Sequence, residues 1–119
     1  MPTIRVIDDS AFSRALFRQL LAGTDYEVGE AADAEEALAR LRADPPDCAV
    51  LDLLMPRTSG LELLARVKEE GLRVPIVVLT ADIQKTTAER CADLGAVAVL
   101  NKPCRRERLL EALARALAR

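Results

Sequence analysis

Val74-Pro75-Ile76-Val77-Val78-Leu79-Thr80 decides the fold. The unbroken apolar run from Val74 to Leu79 is rich in β-branched residues and too short for a buried helix, so it reads as a central strand covered on both faces. Working outward, three similar runs appear: Ile4-Arg5-Val6-Ile7, Cys48-Ala49-Val50-Leu51 and Val97-Ala98-Val99-Leu100. A weaker strand is expected over Tyr26 to Ala31. Between the strands lie segments of helical period, and this regular alternation implies an α/β, three-layer fold with a parallel five-stranded sheet and helices on both faces.

The expected strands are Thr3 to Ile7, Tyr26 to Ala31, Asp47 to Leu51, Val74 to Leu79 and Ala96 to Leu100. Helix one is expected over Ser10 to Ala22, with Phe12, Leu16 and Leu20 at i, i+4, i+8 and Gly23 as its stop. Asp33 suits an N-cap for Ala34 to Ala43, with Glu36 where a capping box wants it, and Asp44-Pro45-Pro46 ends that helix. After a loop through Met55-Pro56, a third helix runs over Ser59 to Glu70 and is closed by Gly71. A fourth spans Ile83 to Leu94, before Gly95, and a fifth starts near Pro103 and carries Leu109, Leu113 and Leu117 on one face. All 119 residues are read as one domain.

Composition narrows the function. A formal charge of −2, with both signs scattered, offers no broad basic surface, so direct nucleic-acid binding is not expected. No apolar run approaches the roughly 20 residues needed to cross a bilayer, so no membrane insertion is expected. Met1-Pro2-Thr3 leads straight into a strand with no room for a signal peptide, and a cytoplasmic location follows as the expectation. Cys48, Cys91 and Cys104 are odd in number and lack Cys-x-x-Cys spacing, which points to reduced thiols, with Cys48 in the core. The chain has no histidine, which removes Ser-His-Asp and Cys-His catalysis and leaves oxygen ligands for hard cations.

Each of the four strong strands ends on a residue suited to handling a metal-bound phosphoryl group: Asp8-Asp9, Asp52, Thr80, and Asn101-Lys102-Pro103. In a parallel sheet these ends share one edge, so three carboxylates, a hydroxyl and an ammonium are expected to meet there. Each alone has an ordinary reading. Asp8-Asp9-Ser10 could be a turn and N-cap, Asp52 a loop aspartate, Thr80 a cap, and Lys102 a solvated lysine. Their joint placement favours chemistry. Mg²⁺ takes a few carboxylates and keeps positions for phosphate oxygens; a cation and Lys102 offset the mutual repulsion of the acids. Phosphoryl transfer asks mainly for positioning and charge neutralisation, and an aspartate can be the nucleophile.

Val6-Ile7-Asp8-Asp9-Ser10 with Arg14, Asp52-Leu53-Leu54-Met55-Pro56-Arg57-Thr58-Ser59-Gly60, Leu79-Thr80-Ala81 and Asn101-Lys102-Pro103 together resemble the receiver domains of two-component response regulators, the single-domain chemotaxis regulators among them. The resemblance covers essentially the whole chain. It implies a flavodoxin-like, doubly wound (βα)5 fold with strand order 2-1-3-4-5. It also implies Asp52 as phosphoacceptor, with Thr80 and Lys102 contacting the phosphoryl group. Asp8, Asp9, Asp52 and the backbone carbonyl of Leu54 become ligands for Mg²⁺ or Mn²⁺, and Pro103 occupies the cis-peptide position. The implied donor is a histidine kinase or histidine phosphotransfer protein. The chain then catalyses only its own phosphorylation and dephosphorylation and is not otherwise an enzyme.

Departures from the family pattern bear on mechanism. Val99 stands where the family usually has Tyr or Phe, so a rotating aromatic switch is not expected; a shift of Thr80 and of the segment from Ala81 to Leu94 is expected instead. The competing, less favoured reading makes Val99 a strand residue that simply fills core space in a receiver with weak or altered signalling. Leu54 and Asp82 hold the positions that tune water access, and the apolar Leu54 implies slow loss of the phosphoryl group. The face of helix 4, strand 5 and helix 5 is the family's usual surface for a downstream protein target or a homodimer. It is expected to carry Lys85, Glu89, Arg90, Arg105, Arg106, Glu107 and Arg108.

Three other readings compete. A small Mg-dependent phosphatase of the haloacid dehalogenase type would place its nucleophile in an Asp-x-Asp stretch after the first strand, which Asp8-Asp9-Ser10 does not match. A flavodoxin-like cofactor binder is disfavoured by the lack of Trp and by acids where a phosphate would need amides. A receiver-like binding module that is never phosphorylated would not need the full acidic set.

Overall fold

The computed structural model of the chain describes residues 1–55, 57–82 and 84–118. Pro56, Ile83 and Arg119 lie outside the described residues, and with them the Met55-Pro56 step of the loop and the Ile83 start expected for the fourth helix. The elements are β1 Thr3–Ile7, α1 Ala11–Leu20, β2 Glu27–Ala31, α2 Ala34–Ala43, β3 Cys48–Leu51, α3 Gly60–Glu69, β4 Ile76–Thr80, α4 Lys85–Asp93, β5 Ala98–Asn101 and α5 Arg106–Leu117. All neighbouring strands pair in parallel, in the order β2-β1-β3-β4-β5. The flavodoxin-like doubly wound fold is therefore present.

Alternation along the strands builds two cores, because successive side chains of a strand leave opposite faces of the sheet. Ile7, Ala49, Leu51, Ile76, Val78 and Val99 meet α2, α3 and α4. Ile4, Val6, Cys48, Val50, Val77, Leu79 and Leu100 meet α1 and α5. Every residue of β4 is buried, as its apolar run foretold.

The helix starts follow their caps. Ser10, Asp33 and Ser59 each accept a hydrogen bond from the backbone N–H three residues on, at Ser13, Glu36 and Glu62. Glu36 reaches back to the N–H of Ala32 rather than of Asp33, so the capping box is displaced by one residue. Pro75 lacks an N–H, and the β4 ladder accordingly starts at Ile76 and runs on through Thr80. Asn101 likewise falls inside β5, one residue later than expected.

The expected apolar stripe of the first helix is corrected. Phe12 is 73% and Leu16 45% exposed, whereas Phe17 and Leu21 are buried. Phe17 and Leu21 stand one residue, about 100°, further round the helix than Leu16 and Leu20, so the buried stripe is offset from the expected one and only Leu20 of the expected three packs against its edge. With the helix turned this way, Arg14 and Arg18 both bind Glu30 of β2.

Candidate functional site

Asp8 follows β1, Asp52 follows β3, Thr80 ends β4 and Lys102 follows β5, so the topology delivers all four to the C-terminal edge of the sheet. Backbone bonds carry the pairing just past the strands: the Asp52 N–H donates to the Ile7 carbonyl at 3.0 Å, and the Lys102 N–H to the Thr80 carbonyl at 2.8 Å. Lys102 Nζ donates to Asp8 Oδ2 at 3.1 Å and to Asp52 Oδ2 at 3.2 Å. One ammonium thus bridges acids from two strands. The Lys102–Pro103 peptide bond is cis, as the resemblance implied.

Asp8 and Asp52 are buried, and Asp9 beside them is exposed. One carboxylate oxygen from each of the three lies within 4.8 Å of the others. That spread is close to the roughly 3 to 4 Å separating donors that share one octahedral Mg²⁺. Three carboxylates against one ammonium leave two negative charges uncompensated, which a divalent cation matches. The donor set fits a hard cation. Burial alone would lower the pKa of Lys102, but its hydrogen bond to Asp8 and the charge of Asp52 outweigh that, and the ammonium is held above its ordinary value.

The other oxygens of the acids are also engaged. Asp8 Oδ1 accepts from the Ser10 N–H at 2.9 Å, and Asp52 Oδ1 from the Leu54 N–H at 3.1 Å. Thr80 is fully buried, and its hydroxyl accepts from the Asp82 N–H at 3.1 Å. Asp82 in turn binds the N–H of Gln84 and the hydroxyl of Thr87 through its carboxylate, and the amide of Asn101 through its carbonyl. This small network links Thr80 to the first turn of α4 and the end of β5. Sequence reading placed Asp82 near the site but did not find these bonds, which depend on the register of β4 and β5.

Two further features were not foreseen. Gly60 opens α3 against the loop that follows β3: a Cβ there would stand 2.6 Å from Leu53 Cα and 2.8 Å from the Asp52 carbonyl oxygen. Glu30 on β2 pairs with both Arg14 and Arg18, and hydrogen bonds from Arg18 and then Arg14 hold its carboxyl below its ordinary pKa. The signal was present in the sequence, since two arginines four apart repel unless an anion sits between them. Arg106 leaves the face assigned to it. Its guanidinium donates to the Leu20 and Ala22 carbonyls, acceptors left free at the C-terminus of α1, and so belongs to the seam between α1 and α5.

No helix of the described residues is long and apolar enough to cross a membrane. The family model for the response regulator receiver domain matches residues 4–114. Response regulator MprA of Mycolicibacterium vanbaalenii is 42% identical over 109 residues, covering 90% of this chain and 46% of that protein. Transcriptional regulatory protein PdtaR of Mycobacterium tuberculosis is 35% identical over 117 residues, covering 98% and 57%. The chain spans about half the length of these curated relatives. Among solved structures, chemotaxis protein CheY4 of Vibrio cholerae superposes with a TM-score of 0.88 at 32% identity, covering 98% of this chain and 99% of that one. With its fold, its acidic edge and these likenesses in agreement, the chain belongs to the response regulator receiver domain family.

Proposed function

We propose that the chain is a phosphorylation switch in which Asp52 accepts a phosphoryl group and the change is passed to the face formed by α4, β5 and α5. The observation that carries this reading is the Lys102 ammonium bridging the buried carboxylates of Asp8 and Asp52, with Asp9 beside them. Asp8, Asp9, Asp52 and the Leu54 carbonyl would hold Mg²⁺ or Mn²⁺, which when bound supplies charge neutralisation for the transferring group. The donor is a phosphohistidine on a histidine kinase or histidine phosphotransfer protein. A carboxylate oxygen of Asp52 bonds to phosphorus as the bond from phosphorus to the imidazole nitrogen breaks, and the imidazole keeps the electron pair and takes up a proton. Lys102 then pairs with the new phosphoryl oxygens.

Thr80 supplies the link to the surface. When its hydroxyl turns to the phosphoryl group, its bond to the Asp82 N–H is lost, and Asp82 holds both α4 and Asn101. Val99 packs into the α2/α3/α4 core without a ring to rotate, so this network carries the response. Phosphorylation is expected to shift the amide resonances of residues 81 to 101. Unchanged spectra there would contradict the path. The altered face would bind a downstream protein or a second copy of the chain. Leu54 is 59% exposed beside the acceptor, and Leu54→Asn, which could hold an attacking water, is expected to shorten the life of the phosphorylated form several-fold.

Incubation with Mg²⁺ and acetyl phosphate, followed by intact mass measurement, tests the function. The parent is expected to gain one phosphoryl group, and Asp52→Asn none. A parent that stays unmodified, or an Asp52→Asn chain that gains the same mass, contradicts the proposal.

A further inference from the structure

We propose that Arg14 is a positioning residue for the acidic site: its guanidinium fixes the Asp8 carbonyl, and so the peptide that joins Asp8 to Asp9, while Glu30 and Arg18 hold the guanidinium in place. The inference rests on the reading of Asp8, Asp9 and Asp52 as ligands for a divalent cation.

The geometry separates the two arms of Arg14. Its Nε donates to Glu30 Oε1 at 2.7 Å, which anchors α1 to β2, but one terminal nitrogen donates to the Asp8 carbonyl at 2.6 Å. That carbonyl has just left the sheet. The Ile7 carbonyl still pairs with the Asp52 N–H, and the Asp8 N–H with the Ala31 carbonyl, whereas α1 begins only at Ala11. The Asp8–Asp9 peptide therefore sits between two regular elements, and a charge-assisted bond to its oxygen sets its plane. Asp9 is exposed, so its direction depends on the peptide that carries it.

Glu30 makes this arrangement compatible with a metal site. Arg14 alone would place a cation beside the position of another cation; Glu30 offsets its charge, and Arg18, which also donates to the Val28 carbonyl, keeps Glu30 aligned. The Arg14 side chain is only 16% exposed, and its planar fork can serve the carbonyl and Glu30 at once. A lysine ammonium has no such fork. Partners that orient metal ligands typically change affinity by about 10- to 100-fold when removed.

The sign of the effect distinguishes positioning from charge. Loss of a nearby positive charge by itself would tighten Mg²⁺ binding, whereas loss of a positioning contact weakens it. Calorimetric Mg²⁺ titrations of folded parent, Arg14→Met, Arg14→Lys, Glu30→Gln and Arg42→Met test this, each below its melting temperature. Arg42 forms a remote two-bond pair with Glu70 and controls for a simple loss of stability. Arg14→Met is expected to weaken Mg²⁺ binding about tenfold or more. Arg14→Lys should fail to rescue it, Glu30→Gln should give a smaller loss, and Arg42→Met should match the parent. If Arg14→Met does not fold, the charge-conserving Arg14→Lys titration decides, and an affinity equal to the parent's overturns the proposal. Unchanged or tighter binding in a folded Arg14→Met overturns it alone. A parent that binds no Mg²⁺ overturns the metal reading and the proposal with it.

Discussion

Lys102→Met is expected to slow phosphoryl uptake from acetyl phosphate by about a hundredfold or more, the usual cost of removing one preorganised donor from developing charge. The same substitution is expected to destabilise the metal-free protein. Asp8 and Asp52 have side chains only 5% and 11% exposed, and Lys102 is the cation that hydrogen-bonds both. Removing one partner from a buried pair strands the remaining charge, at a cost of about 3 kcal/mol. In a domain of this size that lowers Tm by about 10 °C. Mg²⁺ should restore most of the lost stability, because it replaces the missing positive charge between the acids. Thermal melts of parent and variant with and without Mg²⁺ check this. A variant that melts like the parent without Mg²⁺ would show that the ammonium does not hold the acids together.

Gly60→Ala is the second large effect, and it acts through shape rather than charge. The new Cβ would meet Leu53 Cα at 2.6 Å and the Asp52 carbonyl oxygen at 2.8 Å, where ordinary contact begins at 3.4 Å. Both obstacles are backbone, so α3 or the loop that follows β3 must move by most of an ångström. The expected cost is about 3 kcal/mol of stability, the upper part of the range for overpacking. Because the displaced strand end carries Asp52, phosphoryl uptake should fall by about a hundredfold as well, as it does when a reacting group is misplaced by an ångström. Gly71→Ala is the matched control. Gly71 has φ 69 with nothing within 4 Å of an added Cβ, so alanine there costs about 1 kcal/mol of backbone strain and leaves phosphorylation unchanged. Equal uptake by Gly60→Ala and the parent would contradict the coupling of α3's close approach to the placement of Asp52.

The sheet was legible because its strands are apolar runs that stop abruptly at polar residues. In Val74 to Thr80 and Cys48 to Asp52 the change from apolar to polar occurs within one residue, and parallel topology then brings those ends together. Asp8, Asp9, Asp52 and Lys102 could be read as a site for that reason. The phase of α1 was harder to read. Phe12 and Leu16 are as apolar as Phe17 and Leu21, and the pairing of Arg14 and Arg18 with Glu30, 16 and 12 residues away, is no part of the local pattern. The bonds of Asp82 to Asn101 and the packing of Gly60 on Leu53 likewise depend on register and helix approach, which no local pattern encodes. Arg106 shows the same limit: its charge suggested an open face, but free carbonyls at the end of α1 claim it.

A crystal structure with Mg²⁺ and beryllium fluoride, a non-transferable mimic of the phosphoryl group, tests the convergence of the acids most directly. The expected result is one Mg²⁺ ligated by Asp8, Asp9 and Asp52, with the fluoride group on the Asp52 carboxylate and in contact with Lys102 Nζ and Thr80 Oγ1. Carboxylates of Asp8, Asp9 and Asp52 splayed apart with no shared ion, or a Lys102 ammonium turned into solvent, would contradict it.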